Sequence, residues 1–462
     1  MSSNSDQNTV PLEKPHSPLM ELLSIAAPTI AQMASYTVMQ FIDTWMLSRL
    51  NVEAPTAAGN AGLFAFTLIC FGLGVISLVN TLVSQHYGAR QPGHCGVYFW
   101  QGVWFGVFYS LLLLPLAVFA KPFFHLIGHE PSLQAMEAEY FRIVMLTAGV
   151  KLIGNSCAQF LLGVNHPTQV FLASLFGVIA NAIAAWIMIF GTSFFPSMGL
   201  AGAAWAQNIG CIIEMLALVG FVLLPQTRRV YGVRQWQLRL GMFWKLMKIG
   251  LPAGIQFVGD LLVWTLFVNI FMGDFGTHAM SAATFTFRWM SLSFMPAIGL
   301  GTAVTCLVGR YIGRGQPQTA AARAHMGFAL TAMYMVACGI AFFILRYRMM
   351  GVFADNAEIL RIGGQFMIIA ATWQFFDAMF IIYSGALRGA GDTLAPMVAL
   401  ISLNWGITLG GGWLIIHYLP KLGPLGPWYA AIVYGISLGG YCLLRFRAGK
   451  WKAIQLTTPV QA

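Results

Sequence analysis

Long apolar stretches alternate with short polar breaks along the chain. With Pro, Gly and charged residues as punctuation, the stretches fall at 19–47, 58–85, 97–120, 140–163, 168–190 and 199–224. They recur at 247–272, 283–309, 324–345, 362–387, 394–416 and 425–445. About 20 apolar residues in a helix cross the hydrocarbon core of a bilayer, whereas a membrane barrel shows ~10-residue alternating segments. The pattern therefore predicts an all-α integral membrane protein of twelve transmembrane helices.

The helices come as two sets of six. "LVSQHYGARQP" at 82–92 returns as "LVGRYIGRGQP" at 307–317, and "SIAAPTIAQ" at 24–32 as "KIGLPAGIQ" at 248–256. "FLLGVNHPT" at 160–168 pairs with "GALRGAGDT" at 385–393, and "GLAGAAW" at 199–205 with "GPLGPWY" at 423–429. Four matches in order, at nearly constant spacing, indicate a duplication. Six spans per half is an even number, so both halves run in the same sense. The expected arrangement is two pseudo-symmetric lobes about an axis along the membrane normal, facing a central cavity. The expected segments are a tail over 1–18, a first lobe over 19–224, a basic linker over 225–246, a second lobe over 247–445 and a tail over 446–462.

Charge adds the orientation. The chain has 25 Lys and Arg against 15 Asp and Glu, a formal net charge of +10. The basic residues sit in short loops between spans, which argues against nucleic acid as a partner. With the amino terminus in the cytoplasm, sixteen fall in cytoplasmic segments and seven in outer ones, while Lys151 and Arg288 lie inside spans. That asymmetry places both termini on the cytoplasmic side of the inner membrane. The stretch "TRRVYGVRQWQLRLGMFWKLMK" has six positive charges and no acid, and anionic headgroups are its expected neighbours. Residues 1–18 are polar and mixed in charge, so no cleavable signal peptide is read there. Only 9% of residues are charged, against about 25% in a soluble domain, which excludes a soluble fold of this size. The seven cysteines show no metal or redox spacing and read as packing residues.

Charges inside the spans are the candidate chemistry. A charge at mid-membrane costs about 2.5–3.5 kcal/mol or more, so it should face protein or water. The residues are Asp43, Lys151, Glu214, Asp260, Arg288 and Asp377. Helical spacing puts each acid, and Lys151, on a polar stripe. Gln32, Tyr36, Gln40 and Asp43 share a face of span 1, and Lys151, Asn155 and Gln159 share one of span 4. Gln207 and Glu214 do so on span 6, Gln256, Asp260 and Trp264 on span 7, and Trp373 and Asp377 on span 10. A structural ion pair, such as Asp43 with Lys151, is the plainer reading of any one of them. Two intramembrane cations, however, cannot neutralise four acids. Carboxylates in a semi-dry cavity suit a proton, a sodium ion or an organic cation, and Trp264, Trp289 and Trp373 would add cation–π attraction.

Three stretches resemble a known family. "APTIAQMASYTVMQFIDTWMLSRL" is similar to the first-span signature of the multidrug and toxic compound extrusion (MATE) family. "FMPAIGLGTAVTCLVGRYIGRGQPQTAAARA" and "QFFDAMFIIYSGALRGAGDT" resemble its spans 8 and 10. The resemblance covers essentially the whole chain. It implies two six-helix lobes and proton- or sodium-driven export of organic cations. It also implies an aspartate in span 1, matched by Asp43, and, as in the NorM-type subgroup, an acid in span 7 and an aspartate in span 10. Asp260, eight residues after Pro252, and Asp377 match these, although Asp260 replaces the usual glutamate. Asn181 matches the first of two supporting asparagines in span 5, and Ala185 stands where the second is expected. Lys151 departs from the family and is the repeat counterpart of Asp377. A lysine near Asp43 would hold that carboxylate ionised, so this departure suggests a charge-compensated first lobe, with Asp260 and Asp377 holding the coupling ion, H⁺ or Na⁺, and Arg288 modulating them. Gln32, Asn181, Gln256 and Trp373 are the supporting residues.

The expectation is a monomeric secondary antiporter that exports a small organic cation in exchange for H⁺ or Na⁺ by rocking of the lobes. No phosphate-binding loop, H-E-x-x-H zinc motif or D-D-x-x-D diphosphate motif occurs, so neither an enzyme nor a cofactor is expected. His125 and His129, at i and i+4, are not read as a metal site. The alternative is a lipid-linked oligosaccharide flippase of a related superfamily, which would favour a cationic cavity.

Overall fold

The structure, a computed structural model, describes residues 17–50, 53–127, 131–193, 196–454, 456 and 457. Residues 1–16 of the expected tail over 1–18, His129, and residues 455 and 458–462 of the expected carboxy-terminal tail lie outside them. The first half holds α1 (Pro18–Ser48), α2 (Glu53–Gly88), α3 (Pro92–Val118), α4 (Ala120–Ile127), α5 (Pro131–Leu146), α6 (Ala148–Gly163), α7 (Pro167–Phe190), α8 (Gly199–Leu223) and the short α9 (Pro225–Val230). The second half holds α10 (Leu240–Leu266), a π-helical turn (Phe267–Met272), α11 (Thr277–Gly313), α12 (Pro317–Gly351) and α13 (Ala357–Ala390). Then follow α14 (Leu394–Leu403), a second π-helical stretch (Asn404–Gly411), α15 (Gly412–Tyr418) and α16 (Leu425–Arg447). Among the described residues eleven helical segments are long and apolar enough to cross a membrane, and the bent pair α5–α6 makes a twelfth when taken as one span. Among the described residues no β-strand occurs. The protein is an integral membrane protein built of helices, and its seven cysteines are free.

The sequence explains the ends of these helices. Proline opens α2's successor α3, and likewise α5, α7, α9 and α12, where its missing N–H is one of the first-turn donors that no carbonyl needs. Arg90 closes α2 with φ 56° and Gly315 closes α11 with φ 70°, 225 residues later. Their turns repeat bond for bond: Gln91 N donates to His86 O at 2.9 Å, and Gln316 N to Tyr311 O at 2.8 Å. Asn165 and Gly391, with φ 68° and 89°, end α6 and α13 in the same way. The duplication read in the sequence is thus repeated in the backbone.

The expected fourth span, 140–163, is interrupted by a 45° bend between α5 and α6. The side chain of Asn208, fully buried on α8, accounts for it. Its amide donates to Ile143 O at 2.6 Å, and Thr147 Oγ1 donates to its carbonyl at 2.6 Å. A carbonyl released from the helical ladder in an apolar interior needs such a partner. Asn208→Leu is expected to leave Ile143 O unpaired, with the Thr147 hydroxyl falling back on Val144 O, and to cost about 2 kcal/mol. Thermal unfolding in detergent would show it as a lower melting temperature.

Two compact units make up the chain. Among the described residues, one holds residues 27–254, the other residues 18–26 and 255–454. The divisions fall inside α1 and α10, each close to an internal proline, Pro28 and Pro252. Within the first unit the start of α10 packs on α2: a Cβ on Gly74 would lie 2.7 Å from the Gly254 Cα, so only glycine permits that crossing. Within the second, Glu21 at the start of α1 accepts from Tyr311 Oη at 2.7 Å and from Arg323 Nε at 2.8 Å. The expected linker over 225–246 is shorter than read, because the apolar run from Leu240 already belongs to α10.

Candidate functional site

In the first unit, α7 and α8 cross where glycines remove the side chains between them. A Cβ on Gly177 would lie 2.8 Å from the Glu214 Cβ, and one on Gly210 would lie 2.8 Å from the Asn181 Cβ. Asn181 and Glu214 each sit one turn beyond a crossing glycine, so the crossing brings them to one region. α1 meets both. Asp43 faces the Asn181 amide as a neighbour, without a full hydrogen bond: its Oδ1 and both polar atoms of Asn181 are buried and unbonded. Two turns earlier, Tyr36 donates a short hydrogen bond to Glu214 and accepts from Gln32 Nε2 at 3.5 Å. Tyr140 lies within electrostatic range of Asp43.

Lys151 does not join Asp43. No ion pair links it to any acid among the described residues, and its field reaches Cys211, which also feels Asp43 and Glu214. It lies in the first turn of α6, just past the bend at Thr147. A compensated Asp43, expected from the intramembrane charge of Lys151, is therefore not what the geometry gives.

The second unit holds the denser cluster. Asp260 Oδ1 accepts from Trp264 Nε1 at 3.1 Å and from Asn404 Nδ2 at 3.0 Å, with the Tyr434 hydroxyl also in reach. Asp377 is close enough to Asp260 for mutual repulsion and has the Trp373 side chain within hydrogen-bonding reach. The rings form a wall: Trp264 and Trp373 meet edge to face at 5.4 Å, and Tyr434 lies 5.8 Å from Trp373 and 6.2 Å from Trp264. Gly435 makes room for this, since a Cβ there would lie 2.9 Å from the Trp373 ring. Asn404 opens the second π-helical stretch, a distortion that re-aims side chains and recurs at functional sites. Its Oδ1 and the Thr408 hydroxyl, both fully buried, have no partner. No Lys or Arg makes an ion pair with either aspartate among the described residues.

Of the supporting residues, Gln256 is buried one turn before Asp260, Gln32 bonds Tyr36, and Trp373 belongs to the aromatic wall. Arg288 belongs to neither cluster. The buried face of α11 runs through Ala279, Ala283, Thr286, Ser293 and Ala297, and Arg288 lies off it, exposed. A surface opening of about 430 Å³ lined by Glu139, Arg142 and Trp205 touches none of Asp43, Glu214, Asp260 and Asp377. Its size does not make it the site, because no carboxylate of the clusters lines it.

Sequence reading missed Tyr434, Asn404 and the partnership of Tyr36 with Glu214. The repeat supplies a signal for the last. Tyr36 stands 224 residues before Asp260, and α8 is the counterpart of α16. In the first unit the phenol is on α1 and the carboxylate on α8. In the second the carboxylate is on α10 and the phenol on α16. The pair has exchanged helices between the two halves.

Known proteins resemble the chain over nearly its full length. It is 27% identical over 436 residues to the "Probable multidrug resistance protein NorM" of Pseudomonas putida, covering 93% of each chain. It is 25% identical over 448 residues to the "Probable multidrug resistance protein NorM" of Rhizobium meliloti, covering 95% of this chain and 94% of that one. Its fold superposes on that of the eukaryotic MATE transporter AtDTX14 with a TM-score of 0.84 at 17% identity, covering 94% of this chain and 96% of that one. The MatE family model matches residues 28–187 and 259–414, one stretch in each repeat and more than half of the sequence together. With the duplicated helical architecture, this match establishes that the chain belongs to the MatE family.

Proposed function

We propose that this protein is a secondary antiporter of the inner membrane, exporting organic cations in exchange for H⁺ or Na⁺. The observation that carries this reading is the Asp260–Asp377 pair, two half-buried carboxylates within electrostatic range of each other, with no ion-paired Lys or Arg among the described residues and an aromatic wall beside them. Repulsion between the carboxylates makes the pair a place for positive charge. A proton or sodium ion satisfies it in one half of the cycle, and an organic cation, stacked on Trp264 and Trp373, in the other. Mutual exclusion of the two is what couples one flux to the other, with no covalent step. The names of the NorM relatives support export of drugs as the direction of transport. The positive-inside asymmetry supports cytoplasmic termini. The flippase reading would need a cationic cluster, and both clusters are acid-rich.

The first unit takes part through Asp43, and through Tyr36 and Glu214. Glu214→Gln keeps the shape and a hydrogen-bond acceptor for Tyr36 while removing the charge. Gradient-driven ethidium efflux from proteoliposomes is expected to fall about tenfold in Glu214→Gln, the loss of roughly 1.4 kcal/mol of cation attraction. Tyr36→Phe should fall less, since it leaves the carboxylate in place. Wild-type rates in Glu214→Gln would assign the pair to structure alone.

A further inference from the structure

The segment joining the two repeats, 231–239, is a built strap and not a slack tether. Its backbone is bonded to successive side chains of α3. Trp100 Nε1 donates to Val233 O at 2.7 Å and Trp104 Nε1 to Trp236 O at 2.8 Å. Gln101 Nε2 donates to Gln237 O at 3.2 Å, and its Oε1 accepts from Arg239 N at 3.1 Å. At the start, Gly96 N donates to Tyr231 O at 2.8 Å, and Gly232, with φ 66°, lies so near Gly93 that a Cβ would meet its carbonyl oxygen at 2.7 Å. A flexible Gly/Ser-rich chain would suffice merely to join two bundles.

The strap runs from the end of the short α9, which follows α8 directly, to the start of α10, so it lies at the level where spanning helices leave the bilayer. There it holds out a mixed surface. Trp236, Leu240 and Trp244 are 61%, 64% and 66% exposed. Arg228, Arg229, Arg234 and Arg239 are exposed beside them, and none makes an ion pair among the described residues. No acid occurs between Glu214 and Asp260. Indole rings and apolar side chains suit the acyl–headgroup boundary, and guanidinium groups suit phosphate.

We propose that this pinned strap is a binding site for anionic phospholipid headgroups, with the arginines on the phosphates and Trp236 and Trp244 among the upper acyl carbons. The occupant follows from charge and position: an uncompensated cationic surface at the membrane boundary meets lipid phosphate before any other anion. An acidic protein partner would need no exposed indole at that depth.

The test is native mass spectrometry of the full chain, released from nanodiscs of equimolar phosphatidylglycerol and phosphatidylcholine. Two variants accompany the wild type: Arg228→Gln, Arg229→Gln, Arg234→Gln and Arg239→Gln combined, and the same four positions changed to Lys. Wild type is expected to retain phosphatidylglycerol in preference, and the Gln variant to bind it at least about a hundredfold more weakly. The Lys variant, keeping the charge, should retain most of it, which separates loss of charge from loss of fold. Equal retention of the two lipids by wild type would overturn the assignment. So would unchanged phosphatidylglycerol retention in the Gln variant.

Discussion

Asp260→Asn and Asp377→Asn are each expected to reduce gradient-driven ethidium efflux by about 100-fold or more. The estimate comes from a desolvated charge contact of about 3 kcal/mol lost from both the coupling ion and the organic cation. Asparagine keeps the volume, and at 260 it still accepts from Trp264 and Asn404, which donate to Oδ1 in the wild type. The effect therefore reports charge more than packing. Trp264→Phe removes one donor and weakens the cation–π face, and a smaller loss, about tenfold, is expected. Efflux from proteoliposomes under an imposed pH or Na⁺ gradient measures all three. If the two asparagine variants kept wild-type rates, the second-unit cluster would not hold the coupling site.

The second large effect is steric. Gly210→Val is expected to separate α7 from α8, because its Cβ alone would lie 2.8 Å from the Asn181 Cβ and 2.9 Å from the Gly177 carbonyl oxygen. Backbone cannot yield as a flexible side chain does, so a cost near the upper end of about 1–3 kcal/mol for overpacking is expected. The same displacement takes Asn181 from Asp43 and Glu214 from Tyr36. Thermal unfolding and ethidium efflux should fall together. At Gly220, where a Cβ would meet nothing, Gly→Ala should change neither.

How much of this was legible in the sequence depends on where each feature gets its cause. Spans and repeat were legible because apolar length and Pro/Gly punctuation are local. The helices begin and end within a few residues of the reading, apart from earlier starts such as Leu240. The bend at Thr147 was not legible, since it depends on Asn208, some 60 residues away and on another helix. Asp43, Asp260 and Asp377 stood out because a carboxylate in an apolar run is costly. Asn404 and Tyr434 carry no charge and did not stand out, although both face Asp260. Charge also misled. Arg288 was weighted for its charge, yet the face of α11 that bears it is exposed. Lys151 pairs with Asp43 on charge alone, yet no ion pair joins them among the described residues.

The most direct test is equilibrium binding of ethidium to the purified wild type and to the Asp260→Asn, Asp377→Asn double variant, measured over a range of pH and Na⁺ concentration. The account predicts that wild-type affinity falls as H⁺ or Na⁺ rises, because ion and drug compete for the same carboxylates, and that the double variant binds weakly with no such dependence. Wild-type affinity in the double variant, with the same response to H⁺ and Na⁺, would contradict it.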